Sequence, residues 1–173
     1  MVMLKHILTV IAVGLVLIGY HPQSLADSAI PDNFNQPAAN LITGGQPSQA
    51  DLKRLKAAGV SKVINLRGPD EAVAFDEQAA AEALGMTYIS LPVAGAGDVT
   101  VDKARALYQH LQGDDKILIH CASGNRVGAL LAIGAHDVNG KAVTESLAFG
   151  RAAGLSSLEP KVQAVLSGQS QNK

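Results

Sequence analysis

The sequence predicts an α/β domain with a central, mainly parallel sheet of about four or five strands flanked by helices. Short apolar runs typical of buried strands alternate with longer segments of helical pattern from residue 41 onwards. Strands that alternate with helices of this length favour parallel pairing, because parallel strands need a crossover connection. The chain of 173 residues shows no internal repeat and no second domain boundary, so one domain is expected.

The elements follow one another in a regular order. Four apolar runs predict strands at residues 41–43, 63–66, 86–91 and 116–120. Six segments of helical pattern predict helices at residues 49–58, 70–84, 101–111, 126–137, 144–153 and 158–166. Ser48 and Asp51 form a capping box for the first helix, and Gly59 ends it. The glycine-rich segment 94–98 is predicted to be a loop.

The N-terminal residues 1–26 have the organisation of a secretory signal peptide. Lys5-His6 gives a short positive start, and residues 7–19 form an apolar stretch that is short for a membrane span. Ser24-Leu25-Ala26 offers small residues for cleavage. A periplasmic or secreted protein that does not contact the membrane after cleavage is expected, and an uncleaved N-terminal anchor is the alternative.

The remaining chain is predicted to have three parts. Residues 27–40 are polar with little periodicity and are predicted to be an extended leader. Residues 41–167 form the domain, and residues 168–173 form a disordered tail.

Composition excludes several classes of function. The net charge of −1, the absence of a basic block and of tryptophan, and only three Tyr and three Phe argue against a nucleic-acid partner. The five histidines show no metal-ligand spacing, and the chain has no nucleotide-binding Gly-x-x-x-x-Gly-Lys loop, so no metal or cofactor is expected. Cys121 is the only cysteine, so it forms no disulfide within the chain. The oligomeric state stays open.

Cys121 lies where a predicted strand runs directly into a loop and then a helix. A loop that leads into a helix N-terminus presents N–H donors to an anion. Gly124 permits a tight backbone turn there, and the planar fork of Arg126 can hold two oxygens of a phosphate. The same surroundings favour the thiolate form of Cys121. The pattern therefore predicts attack by sulfur on phosphorus, with a phosphocysteine that water then hydrolyses.

Simpler interpretations stay open for the same residues. Cys121 can be a buried structural thiol, and Arg126 can be an exposed side chain in the first helical turn. His120 can end the strand or hold the shape of the loop, and it is assigned no acid–base role.

The run from His120 to Arg126, His-Cys-Ala-Ser-Gly-Asn-Arg, resembles the phosphate-binding loop of cysteine-dependent tyrosine and dual-specificity phosphatases. Its shortened spacing more closely resembles the phosphatase-like domain related to beta-lactamase hydrolase-like proteins, as do residues 43–47, 58–67 and 85–93. The resemblance implies a cysteine-dependent phosphatase-like fold and a phosphorylated substrate or phosphate-type anion as the partner. It also implies that the residues between the cysteine and the arginine bind phosphate, namely Ala122, Ser123, Gly124 and Asn125.

The resemblance further implies an aspartate from a neighbouring loop as the general acid, and Asp98 is the candidate. Asp98 can instead serve as a cap or turn residue, and Asp102 is a weaker candidate because the helix dipole favours a carboxylate there anyway. Arg67 and Arg151 have simple interpretations as ion-pair partners, Arg67 with Asp70 or Glu71.

Three hypotheses remain. The first is an exported phosphatase that hydrolyses phosphate monoesters through a phosphocysteine. The alternative is a catalytically weak or inactive pseudophosphatase that binds phosphate or a phosphorylated ligand. It is favoured by two departures: four rather than five residues separate Cys121 from Arg126, and Val127 stands where many relatives carry Ser or Thr. The third, a rhodanese-like sulfur carrier, also presents a cysteine in a cradle of amides.

Overall fold

The computed structural model describes residues 30–170 of the chain, so the predicted signal peptide lies outside the described residues. A five-stranded sheet has the order β1-β2-β5-β3-β4. Its strands are β1 Phe34–Ala38, β2 Leu41–Gly44, β3 Lys62–Asn65, β4 Thr87–Ser90 and β5 Ile117–His120. Only β1 is antiparallel to its neighbour, and the other pairs are parallel. The predicted α/β class and mainly parallel sheet are confirmed.

Helices cover both faces of the sheet. They are α1 Gln49–Ala57, α2 Glu77–Ala83, α3 Val101–Gln109, α4 Asn125–Asp137, α5 Val143–Ala152 and α6 Glu159–Ser170. Successive strand residues point to opposite faces, so Val63 packs with α1 and α2 while Ile64 packs with α3 and α4. Within residues 30–170, no helix is long and apolar enough to cross a membrane.

The parallel register brings the carboxyl ends of the strands to one edge of the sheet. His120 pairs in register with Gly44 on one side and with Asn65 on the other, and Asn65 pairs with Ser90. The loops after β2, β3, β4 and β5 therefore meet at this edge, which is where open parallel sheets bind ligands.

The structure corrects the predicted N-terminal boundary of the domain. Residues 34–38, assigned from sequence to an extended leader, form the edge strand β1. Phe34 is 8% exposed and belongs to the core, while Pro37 is compatible with an edge position because an edge strand need not donate every N–H. The sheet thus begins before residue 41. At the other end, α6 continues to Ser170, beyond the predicted domain limit of 167.

The predicted helix 70–84 begins only at Glu77. The preceding segment is a loop because its polar side chains bind loop backbone: Glu71 accepts from the Gly68 N–H at 2.8 Å, and Arg67 donates to the Ala72 carbonyl at 2.7 Å. Asp76 then caps the shorter helix by accepting from the Ala79 N–H. This loop, residues 67–76, is called the arginine-anchored loop below.

Helix α4, which follows Cys121, is the central helix of the fold. Its residues 127–135 are all buried, as expected for a helix that is apolar on every side. A Cβ at Gly128 would lie 2.2 Å from the Leu155 nitrogen and 2.6 Å from the Gly150 oxygen. Glycine at this position therefore allows the backbones of α4 and α5 to approach closely.

Substitution Gly128→Ala is expected to destabilise the protein by about 1–3 kcal/mol, because the added methyl group meets backbone that cannot rotate away. The matched control is Gly168→Ala on α6, where a Cβ has open space. The control is expected to be neutral or to stabilise by up to about 1 kcal/mol through helix propensity. Urea unfolding of both variants measures the difference, and equal midpoints would contradict the close packing at Gly128.

Candidate functional site

The loop after β5 and the start of α4, residues 121–126, surround the Cys121 thiol and are called the cradle. Cys121 is 1% exposed, and its backbone N–H donates to the Gly44 carbonyl at 3.2 Å. Gly124 has a φ of 89° and is the N-cap of α4. In this left-handed conformation, which favours glycine, its N–H donates to Cys121 Sγ at 3.1 Å. A backbone donor thus points at the sulfur from a helix N-terminus, which is the end of a helix that attracts anions.

The loop after β2 supports the cradle from one side. Gly45 forms an isolated bridge with Ser123, and the Gln46 N–H donates to the Ala122 carbonyl at 3.4 Å. A Cβ at Gly45 would lie 2.9 Å from the Ala122 oxygen. Glycine is therefore needed where this loop passes the cradle, which gives residues 43–47 a physical role that sequence similarity alone did not define.

Arg126 lies in the first turn of α4 and is held by two partners. Its Nη1 donates to Glu71 Oε1 at 2.5 Å and to the Val93 carbonyl at 2.8 Å, and its Nη2 donates to Glu71 Oε2 at 2.7 Å. A guanidinium has five N–H groups, so Nε–H and one Nη2–H remain for the thiol and a bound anion. The pKa of Arg126 is raised chiefly by its hydrogen bonds to Glu71, against an opposing contribution from burial, and further by its interaction with the Cys121 side chain.

Glu71 fixes the orientation of this guanidinium. The hydrogen bonds from Arg126 hold the pKa of Glu71 at about 2, below its usual 4.5, despite an opposing contribution from burial. Its carboxylate also lies 3.5 Å from Arg67 Nε, which is the ion pair predicted for Arg67. The contact with Arg126 spans 55 positions of the chain, so local sequence patterns did not identify Glu71 as a residue of the site.

The other predicted phosphate-binding residues differ in their surroundings. Ala122 and Ser123 are exposed on the cradle. The Asn125 side chain turns away from the cradle: its Oδ1 accepts from the Ser156 N–H at 2.9 Å, and its Nδ2 donates to Ser157 Oγ at 2.6 Å. This side chain ties the start of α4 to the segment before α6, and only the Asn125 backbone remains a candidate for binding an anion.

The structure does not place Asp98 against the thiol. Its carboxylate accepts from the Ala94 N–H at 3.0 Å and lies 3.7 Å from Lys103 Nζ. Asp98 is the last residue of the 3₁₀ turn Ala96–Asp98. Its contact with Ala94 therefore stabilises the loop in which Asp98 itself lies. The same loop starts beside the site, because the Val93 carbonyl contacts Arg126.

The remaining candidates have ordinary surroundings. Asp102 is 93% exposed at its side chain and faces Arg105, and Arg151 pairs with Glu159 at 2.5 Å. Val127 is fully buried in the core, so no hydroxyl follows Arg126 in the cradle. Within the described part of the chain, no group of three or more His, Cys, Asp or Glu side chains is arranged to hold a metal ion.

A cavity of about 450 Å³ adjoins the cradle. It lies between the loop after β2 and the arginine-anchored loop, and Ala122 forms part of its wall. Its apolar wall is formed by Pro47, Ala72, Val73, Ala74 and Phe75.

Solved structures share this architecture. A proposed phosphatase from Shewanella putrefaciens CN-32 is 25% identical with a TM-score of 0.57, over 81% of this chain and 90% of that chain. Another from Neisseria meningitidis Z2491 is 21% identical with a TM-score of 0.63, over 76% of this chain and 94% of that one. TpbA from P. aeruginosa, solved with phosphotyrosine, is 19% identical with a TM-score of 0.58, over 79% and 83% respectively. The last two likenesses concern the fold alone.

A curated relative and a family model extend the similarity to sequence. The beta-lactamase hydrolase-like protein of Agrobacterium fabrum is 33% identical over an aligned stretch of 99 residues, and the match covers 54% of this chain and 23% of that protein. This chain therefore matches about a quarter of the length of that relative. The model for the phosphatase-like domain of beta-lactamase hydrolase-like proteins matches residues 34–138, from the edge strand β1 to the end of α4. With the cradle, the sheet and more than half of its length matched, the chain belongs to this phosphatase-like domain family.

Proposed function

We propose that the chain is an exported, cysteine-dependent phosphatase that hydrolyses phosphate monoesters. The observation that carries the proposal is the cradle: the Gly124 N–H lies 3.1 Å from Cys121 Sγ, and Arg126 is oriented beside the same thiol. This combination favours a thiolate and provides a cation for the phosphoryl group. Export rests on the signal-like pattern of residues 1–26 and predicts a periplasmic or secreted location.

The proposed reaction has two steps. Cys121 Sγ attacks phosphorus, the bond from phosphorus to the ester oxygen breaks, and the leaving oxygen takes a proton from a general acid. Water then attacks the phosphorus of the phosphocysteine, the deprotonated acid takes a proton from this water, and the bond from sulfur to phosphorus breaks, which releases inorganic phosphate and the thiolate. Cradle amides and the two remaining N–H groups of Arg126 stabilise the charge on the phosphoryl oxygens in both steps.

Asp98 is the proposed general acid, and it would act after its loop rearranges. Its carboxylate must leave the Ala94 N–H to reach the leaving oxygen. Gly95 precedes the turn and Gly97 lies within it, and nothing lies within 4 Å of a Cβ placed on either. The loop therefore has space to move over a bound substrate, as catalytic loops commonly do.

Phosphate recognition without turnover is the second candidate function. The buried Val127 favours it, because this position offers no hydroxyl to help the sulfur leave in the second step. The ligand would be phosphate or a phosphorylated molecule, bound through the same cradle and Arg126.

Substitution Cys121→Ser is expected to lower the hydrolysis of 4-nitrophenyl phosphate by about 10³-fold or more, because a serine hydroxyl is far less nucleophilic than a thiolate. Mass spectrometry of rapidly quenched wild-type protein is expected to find the phosphoryl group on Cys121. If the variant hydrolyses the substrate at the wild-type rate, the mechanism with Cys121 as the nucleophile is wrong. Phosphate binding by the wild type with no phosphocysteine would favour the second candidate.

Substitution Arg126→Lys is expected to weaken the binding of inorganic phosphate by about tenfold or more, because the ammonium replaces a planar fork with a point charge. The matched control is Arg151→Lys, which alters an exposed ion pair with Glu159 and should bind phosphate as the wild type does. Isothermal titration calorimetry measures both affinities, and equal loss in the two variants would show that the site is not at Arg126.

Substitution Glu71→Gln is expected to remove a pH-dependent part of the stability. The pKa of Glu71 is about 2 in the folded protein and 4.5 without its partners, so its contribution is fully present above about pH 4.5 and is lost as the pH falls towards 2. The stability difference between wild type and variant should therefore shrink over this range in urea unfolding. A difference that stays constant between pH 6 and pH 3 would contradict the ion pair with Arg126.

A further inference from the structure

A buried carboxylate behind the cradle has no part in the proposed reaction. Glu77 is the first residue of α2 and is 4% exposed. A glutamate in a first helical turn is favoured by the helix dipole, but it normally faces solvent. Burying this carboxylate has a cost that only charged or hydrogen-bonding partners can offset. The partners of Glu77 therefore indicate why it is buried.

The first partner is His120, the last residue of β5. His120 is fully buried, and its Nε2 lies 2.8 Å from Glu77 Oε1. Neither atom has a well-aligned hydrogen bond to any other group in residues 30–170, so each depends on this ion-pair contact. The other ring nitrogen, Nδ1, faces the Cys121 carbonyl at 3.4 Å. The imidazole thus lies between a carboxylate oxygen and a carbonyl oxygen, and both of these atoms accept hydrogen bonds.

The second partner is Gln46, in the loop that supports the cradle. Its Nε2 donates to Glu77 Oε2 at 3.0 Å, and its Oε1 accepts from Arg67 Nη1. Its backbone N–H donates to the Ala122 carbonyl of the cradle. Gln46 thereby joins Glu77 to the cradle on one side and to Arg67 on the other.

Arg67 connects Gln46 to Glu71, the residue that orients Arg126. It is 9% exposed, donates to the Ala72 carbonyl and contacts Glu71. Glu71 in turn orients Arg126. A continuous series of polar contacts thus surrounds the cradle, in the order His120, Glu77, Gln46, Arg67, Glu71 and Arg126.

We propose that Glu77 is a positioning residue for phosphate binding. Through His120 and Gln46 it connects the backbone that precedes Cys121 to the arginine-anchored loop. This connection fixes the position of Arg126 relative to the cradle amides. The proposal rests on the proposed function, because it assigns Glu77 a role in the phosphate site described above. Three separate segments form or support the phosphate site: the loop after β5, the loop after β2 and the arginine-anchored loop. Glu77 contacts the first through His120 and the second through Gln46. A purely structural glutamate would affect stability and leave anion affinity unchanged.

The test compares Glu77→Gln with Glu82→Gln, an exposed glutamate on the same helix whose side chain contacts only Gln78 among the described residues. Dissociation constants for inorganic phosphate are measured by calorimetry, well below the melting temperature of each protein. Glu77→Gln is expected to weaken phosphate binding by about tenfold or more, because small displacements of binding groups are costly. Glu82→Gln is expected to bind as the wild type does. A folded Glu77→Gln protein with wild-type affinity would overturn the proposal.

A second variant covers the case in which Glu77→Gln does not fold. Gln46→Met removes the hydrogen bonds of Gln46 to Glu77 and to Arg67. It keeps the Glu77 carboxylate in contact with His120 and changes only a partly buried side chain. It is expected to weaken phosphate binding while changing the melting temperature less than Glu77→Gln does. Unchanged phosphate affinity in this variant would also overturn the proposal. Wild-type protein that binds phosphate but forms no phosphocysteine would overturn the proposed hydrolysis alone, since the affinities still test Glu77.

Discussion

The close approach of backbone segments around the start of α4 is the constraint on which the site depends. Gly124 needs its positive φ to direct its N–H at the thiol, and a Cβ there would also meet the Gly44 backbone at 3.4 Å. Gly154 approaches from the other side, where a Cβ would lie 3.2 Å from the Gly124 oxygen. The cradle is therefore enclosed by backbone on two sides. Amides held in this way need little reorganisation when an anion binds, which is what makes such a site effective.

Charge balance explains how such a site is stable without a ligand. A helix N-terminus is electropositive, and Arg126 adds a full positive charge in its first turn, where the dipole opposes it. The Glu71 carboxylate offsets both by taking two hydrogen bonds from the guanidinium. Because Glu71 accepts hydrogen bonds from Nη1 and Nη2, the Nε–H and the second Nη2–H of Arg126 stay available to an incoming phosphate. Glu71 can thus stabilise the empty site without competing for the whole of Arg126.

The sequence predicted the features that depend on local patterns. Apolar runs and caps located the parallel sheet and most helices, and the strand-loop-helix run placed Cys121 at the correct edge. Features that depend on distant contacts were not predictable in this way. The start of α2 moved to Glu77 because Arg67 and Glu71 stabilise a loop instead of a helical turn. Asn125 was assigned to phosphate because of its position, but its side chain caps a segment about 30 residues away, and nothing local to Asn125 indicates that partner.

Binding and turnover depend on different parts of this structure. The groups that would hold phosphate are already placed: a backbone amide lies at the sulfur, and Arg126 is fixed by both Glu71 and Val93. The group that would donate the proton is not in place, because the Asp98 carboxylate accepts a hydrogen bond from the backbone of its own loop. Val93 connects the phosphate-binding groups to the loop of Asp98. Its carbonyl accepts a hydrogen bond from Arg126, and the chain segment that begins at Val93 ends at Asp98. In the proposed reaction, movement of that loop would therefore bring the Asp98 carboxyl group to the leaving oxygen, and phosphate binding alone would not require this movement.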